Sequence, residues 1–212
     1  MKIKLLKQAN KIKEKRNKIT SKDYDLPMEG GFLTKIYHIC TPNVRGNMIT
    51  KKIIKDMQHK VSITKVSTKN ELHLGNLREI SPRLNRGDIH IDYRLFFEVK
   101  SSFTSMKNTY SITNIRSWQK LDFYVLCLVD TNDNFKPHFF CIKPKALYDN
   151  PHIHLGDMNN SKKINEENEY VGKRTTIPSD NIMWLFKKHN ELNGTTYKHL
   201  LSFLKLKNPK NI

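Results

Sequence analysis

Gly87-Asp88-Ile89-His90-Ile91-Asp92-Tyr93-Arg94-Leu95-Phe96-Phe97-Glu98-Val99-Lys100 is the stretch that decides how this 212-residue chain folds. It sets two acids and a lysine within segments that are otherwise apolar. Gly87 to Asp92 and Leu95 to Lys100 read as two strands joined by a tight connection at Tyr93-Arg94. Side chains alternate along a strand, so Asp88, His90 and Asp92 share one face of the first strand, and Glu98 and Lys100 share one face of the second. A two-residue turn puts Asp88 on the wrong face. A three-residue loop, as in a bulged hairpin, is expected to set Asp88 opposite Lys100 and diagonal to Glu98, so that the three charges converge.

Two carboxylates buried side by side are costly unless a cation neutralises them. A pair of them suits Mg²⁺, which keeps several waters and also takes substrate phosphate. Asp88 and Glu98 are therefore the expected metal ligands. A metal-held water, oriented or deprotonated with help from Lys100, can attack phosphorus while metal and lysine offset the growing negative charge. That is phosphodiester hydrolysis. The plain alternative is an internal ion pair of Lys100 with Glu98 or Asp88 at the end of ordinary strands.

Upstream, Met48, Ile49, Ile53, Ile54 and Met57 recur at helical spacing after Arg45-Gly46, which predicts a helix ending near His59. Residues 61–67 alternate loosely enough for a strand. Downstream, residues 112–121 suit a helix with Ile115, Trp118 and Leu121 on one face. The unbroken apolar run from Phe123 to Val129 is typical of a strand covered on both sides. His138 to Ile142 reads as a further strand, residues 150–180 show no usable period, and helices are expected at 180–191 and 196–206.

This ordered set of Gly-Asp88, nine residues, Glu98-Val99-Lys100-Ser101-Ser102, a helix carrying Gln119 and an apolar strand resembles the PD-(D/E)XK nuclease superfamily, and within it the type II restriction endonucleases. The resemblance covers residues 46–130. It implies an α/β, restriction-endonuclease-like fold with a mixed central β-sheet flanked by α-helices and the metal acids on a hairpin. Asp88 matches the first acid of the motif, Glu98 the second and Lys100 the lysine, while Gln119 matches a glutamine that many members carry near the active site. Two features depart from the pattern. Gly87 stands where proline is usual, and the helix before the hairpin offers only Thr50 or Asp56 where many members carry a further glutamate, with Glu71 and Glu79 as poor substitutes. The implied activity is Mg²⁺-dependent cleavage of double-stranded DNA at a specific sequence by a homodimer, each site cutting one strand. A junction resolvase or repair nuclease on the same fold, or a non-catalytic DNA-binding protein, are the alternatives.

The charge balance agrees with a polyanionic partner: 38 Lys and Arg against 20 Asp and Glu give a net charge of +18, which favours nucleic acid through counterion release. Residues 1–19 concentrate eight basic side chains and one acid, Glu14, and read as a basic N-terminal helix or arm; residues 20–212 read as a single domain. No stretch resembles a membrane span or a secretory signal, so a cytoplasmic protein without a membrane partner is expected, and Cys40, Cys127 and Cys141 fit reduced thiols. Lys173, Arg174 and His90 are candidate DNA contacts. The spacing of Cys141, His152 and His154 matches no common zinc finger. Trp118 and Trp184 are expected in the core.

Overall fold

The computed structural model describes residues 18–61, 63–65, 87–92, 94–106, 108–112, 115, 120–148 and 175–207. Residues 1–17 of the arm expected over residues 1–19, together with Glu71, Glu79, Trp118, Gln119, His152, His154, Lys173 and Arg174, lie outside the described residues. A first turn of 3-10 helix (Ser21–Asp25) and a short irregular turn (Met28–Phe32) precede helices α1 (Leu33–Ile39) and α2 (Pro42–Met57). Strands β1 (Ile63–Lys65), β2 (Ile89–Ile91), β3 (Leu95–Phe103), β4 (Thr109–Ile112), β5 (Phe123–Asp130) and β6 (Lys136–Ile142) follow. The chain then forms α3 (Pro144–Tyr148), β7 (Thr175–Pro178), α4 (Ser179–Lys188) and α5 (Tyr197–Leu206).

The run from Phe123 to Val129 is buried throughout because β5 is paired on both edges, parallel to β3 and antiparallel to β6. The five-stranded sheet has the order β1-β2-β3-β5-β6, with β1, β2 and β3 as an antiparallel meander, so it is mixed and open. A separate ribbon pairs β4 with β7. Alternation along β3 and β5 divides the core in two. Phe97, Val99, Val125, Cys127 and Val129 pack beneath Ile36 of α1, Ile49 and Ile53 of α2 and Leu200 and Phe203 of α5. On the opposite face Tyr124, Leu126 and Leu128 meet Tyr110 of β4, Leu147 of α3 and Phe186 of α4. Each such large side chain contributes roughly 1.5–3 kcal/mol by leaving water, and helices on both faces explain why β5 can be apolar on both sides.

Two expectations are corrected. The helix expected from residue 112 does not start there: Ile112 closes β4 by pairing with Thr175, and Leu121 lies outside any helix, two residues before β5. Helix α2 begins at Pro42, behind the N-cap Thr41, because proline at the first helical position loses no hydrogen bond there, and it ends at Met57, close to the end expected near His59. Trp184 is not core. Met183 and Phe186 form the inward stripe of α4, and the 100° step per residue turns Trp184 out to solvent, where it is 64% exposed.

Candidate active site

The β2–β3 hairpin pairs Ile89 with Phe97, His90 with Phe96 and Ile91 with Leu95. Asp92 adopts a left-handed φ of 52°, and the Arg94 N–H donates to Ile91 O at 3.1 Å. The ladder ends at Ile89–Phe97: the Asp88 N–H turns back to Phe97 O, so the regular pairing that was expected to set Asp88 opposite Lys100 does not extend to Asp88.

Two backbone contacts hold Asp88. Its N–H donates to Phe97 O at 3.1 Å, and its Oδ2 accepts the Val99 N–H at 3.4 Å. The carboxylate thus sits beside the residue that separates Glu98 from Lys100. Gly87 makes this approach possible. Its φ is 84°, and a Cβ there would come within 2.7 Å of Leu121 Cδ2 and 2.9 Å of Phe97 O. Only glycine fits that position.

Glu98 is 6% exposed, and Lys100 Nζ donates to its Oε1 in a direct ion pair. Further along the same face, Ser102 Oγ accepts the Ser111 N–H at 2.8 Å and ties the β4–β7 ribbon to β3. His90 also lies on this face, but the residue is 4% exposed and its ring is bonded through Nε2 to Thr64 Oγ1 at 3.0 Å and packed 5.8 Å from Phe96. Burial holds its pKa below the usual histidine value against the opposing charge of Asp92. Asp122 clamps the start of β3: its Oδ2 accepts the Phe96 N–H at 2.7 Å and its own N–H donates to Phe96 O at 2.8 Å. The sequence offered a signal for this clamp, an acid immediately before the apolar run.

Neither candidate for an extra acid on α2 joins this group. Helix α2 packs on the face of Phe97 and Val99, opposite to Glu98. Asp56 there is bound by Lys52 Nζ at 2.8 Å and by the Tyr197 hydroxyl at 2.8 Å, and Thr50 returns its hydroxyl to Gly46 O at 3.0 Å. Among the described residues no group of three or more His, Cys, Asp or Glu could hold a metal ion. The contacts that hold these groups are the Glu98–Lys100 ion pair and the bond of the Asp88 carboxylate to the Val99 N–H, the residue between them in sequence. The donor set suits Mg²⁺, which commonly takes one or two carboxylates and fills its remaining positions with water and phosphate.

No protein-family model matches the chain, and no curated protein is significantly similar to it. Among the described residues no helix is long and apolar enough to cross a membrane. Cys40, Cys127 and Cys141 are all free thiols, and burial pushes those of Cys127 and Cys141 far above the usual range.

Proposed function

We propose that this chain is a Mg²⁺-dependent endonuclease that hydrolyses phosphodiester bonds of double-stranded DNA at a specific sequence, as a cytoplasmic homodimer of the type II restriction endonuclease kind within the PD-(D/E)XK superfamily. One observation carries the reading: the Asp88 carboxylate is anchored on the Val99 N–H, between Glu98 and Lys100 on β3. The mixed sheet with helices on both faces and acids on a hairpin supports the restriction-endonuclease-like fold that the resemblance implies.

In this reading Asp88 and Glu98 hold the ion. When bound, Mg²⁺ supplies Lewis-acid polarisation of the phosphate and acidifies a coordinated water. The chain's own residues do the rest. The Val99 amide and the Gly87 turn fix the Asp88 carboxylate in advance, so no reorganisation is needed when substrate arrives. Glu98 holds the Lys100 ammonium at the same place, where it orients the attacking water and offsets charge growing on the phosphate oxygens. The excess of basic side chains draws the polyanion to the protein.

The test is digestion of a long, sequenced duplex with the purified protein and Mg²⁺. Discrete fragments are expected; intact DNA under every divalent metal tried would overturn the proposal. The Lys100–Glu98 ion pair favours a second reading, a DNA-binding protein in which that pair is purely structural. It requires binding indifferent to Mg²⁺ and no nicking.

A further inference from the structure

Helix α4 presents an aromatic surface that the proposed hydrolysis does not use. Trp184 is 64% exposed, with Lys188 Nζ 5.7 Å from its ring centroid and Lys187 exposed beside it. Phe186 anchors the same helix on Phe140, with ring centroids 5.7 Å apart, so α4 covers the sheet face that also carries Glu98 and Lys100. Burial first, and then the charges of Lys136 and Lys187 against those of Asp130 and Asp133, lower the pKa of His138 on β6, which places Lys187 near that edge of the sheet. The acids on this side are engaged: Asp130 accepts the Asn132 N–H at 2.8 Å, Asp133 pairs with Lys136 at 3.1 Å and Glu191 with Lys143 at 3.8 Å.

We propose that Trp184 is a stacking platform for an unpaired base of bound DNA, with Lys187 and Lys188 meeting the adjoining phosphates. The proposal rests on the nucleic-acid reading above but not on hydrolysis. Any base offers a π-face to an indole, and neighbouring ammonium groups suit the backbone that carries it. A second copy of the chain fits the surface less well. A stable interface needs a contiguous apolar patch. The other large exposed hydrophobics among the described residues, Val44, Met106 and Leu206, lie on α2, in the turn between β3 and β4, and at the end of α5. Two copies would also bring Lys187 and Lys188 towards like charges.

The experiment compares a blunt duplex with the same duplex carrying a single-stranded overhang, both fluorescently labelled and titrated in Mg²⁺-free buffer. Trp184→Ala is expected to weaken binding of the overhang duplex roughly 5- to 150-fold, the loss of one stacked base, and to leave the blunt duplex unchanged. Trp184→Phe should restore most of the affinity, whereas Trp184→Leu should not. Equal affinities of Trp184→Ala and wild type for the overhang duplex would overturn the proposal. So would a change in sedimentation without a change in DNA affinity, which would mark a contact between protein chains. A wild-type protein that binds neither DNA overturns both readings. One that binds with the expected Trp184 dependence yet never cuts with Mg²⁺ overturns the nuclease alone.

Discussion

Asp88 Oδ2 accepts the Val99 N–H at 3.4 Å, so the first acid of the site is held by the backbone of the strand that carries the other two groups. The relation depends on Gly87, whose φ of 84° and closeness to Phe97 O turn the chain onto β3.

Gly87→Ala is therefore expected to strain the entry to β2. A Cβ at that φ meets backbone as well as Leu121, and relief requires Asp88 to move. The cost should be about 1–3 kcal/mol of stability, with a loss of cleavage larger than the fraction unfolded explains. Urea unfolding beside a cleavage assay separates the two. A variant as stable and as active as wild type would show that the turn does not position Asp88.

The hairpin, the central strand and both C-terminal helices were legible in the sequence because each has a strong local period or an unbroken apolar run. The end of the ladder at Asp88 was not. Alternation assumes a regular strand, whereas the Asp88 N–H turns back to Phe97 O behind the left-handed Gly87, a shape set by contacts with Phe97 and Leu121 that are distant in sequence. Strand β7 was missed because Thr175–Pro178 is short and draws its stability from pairing with β4. Trp184 was misplaced because an apolar side chain on an amphipathic helix reads as inward until its neighbours Met183 and Phe186 are seen to face the sheet.

Asp23 provides a pH-dependent test of how the first turn is fastened. The Lys35 ammonium beside it, and then the Thr20 N–H at 2.7 Å, hold its carboxyl below the usual range. A depressed folded-state pKa means that the stabilisation is complete above the unfolded value near 3.9 and is lost as pH falls through the folded value. Asp23→Asn should lower Tm near neutral pH by roughly 2–4 °C, corresponding to about 1 kcal/mol for a chain of this size. Below about pH 4 the two melting curves should draw together. A gap that stays constant to the acid limit would mean that the Asp23 charge contributes nothing.

Asp56 is expected to matter for stability and not for catalysis. Lys52, 4% exposed, divides its ammonium between Asp56 at 2.8 Å and Tyr24 O at 2.8 Å, and Tyr197 donates to the same carboxylate. Asp56→Ala leaves a buried cation short of its counter-charge and should cost roughly 2–4 kcal/mol. The joint change Lys52→Met with Asp56→Leu should recover most of that, since removing both partners leaves no orphaned charge. The recovered protein should cut DNA at the wild-type rate. If it is stable but inactive, Asp56 belongs to the active site and the assignment of two carboxylates is incomplete.

The dissection of the site itself separates the proposed enzyme from a structural ion pair. Asp88→Ala and Glu98→Ala should each abolish cutting by orders of magnitude, because each removes one of two proposed metal ligands. DNA affinity in metal-free buffer should hold or rise, since a negative charge facing the phosphate has been removed. Lys100→Ala should keep metal binding and lose about 2–4 kcal/mol of transition-state stabilisation. The three groups are expected to act as a unit, so Glu98→Ala combined with Lys100→Ala should cost little more than the worse single change. The ion pair predicts another pattern: either single change leaves a buried charge without its partner and lowers Tm, and the double change restores it. Melting curves and single-turnover cleavage on the same four proteins decide the matter. Folded Glu98→Ala protein that cuts duplex DNA at the wild-type rate with Mg²⁺ would remove Glu98 from the catalytic site, and with it the proposal that Asp88, Glu98 and Lys100 form a nuclease centre.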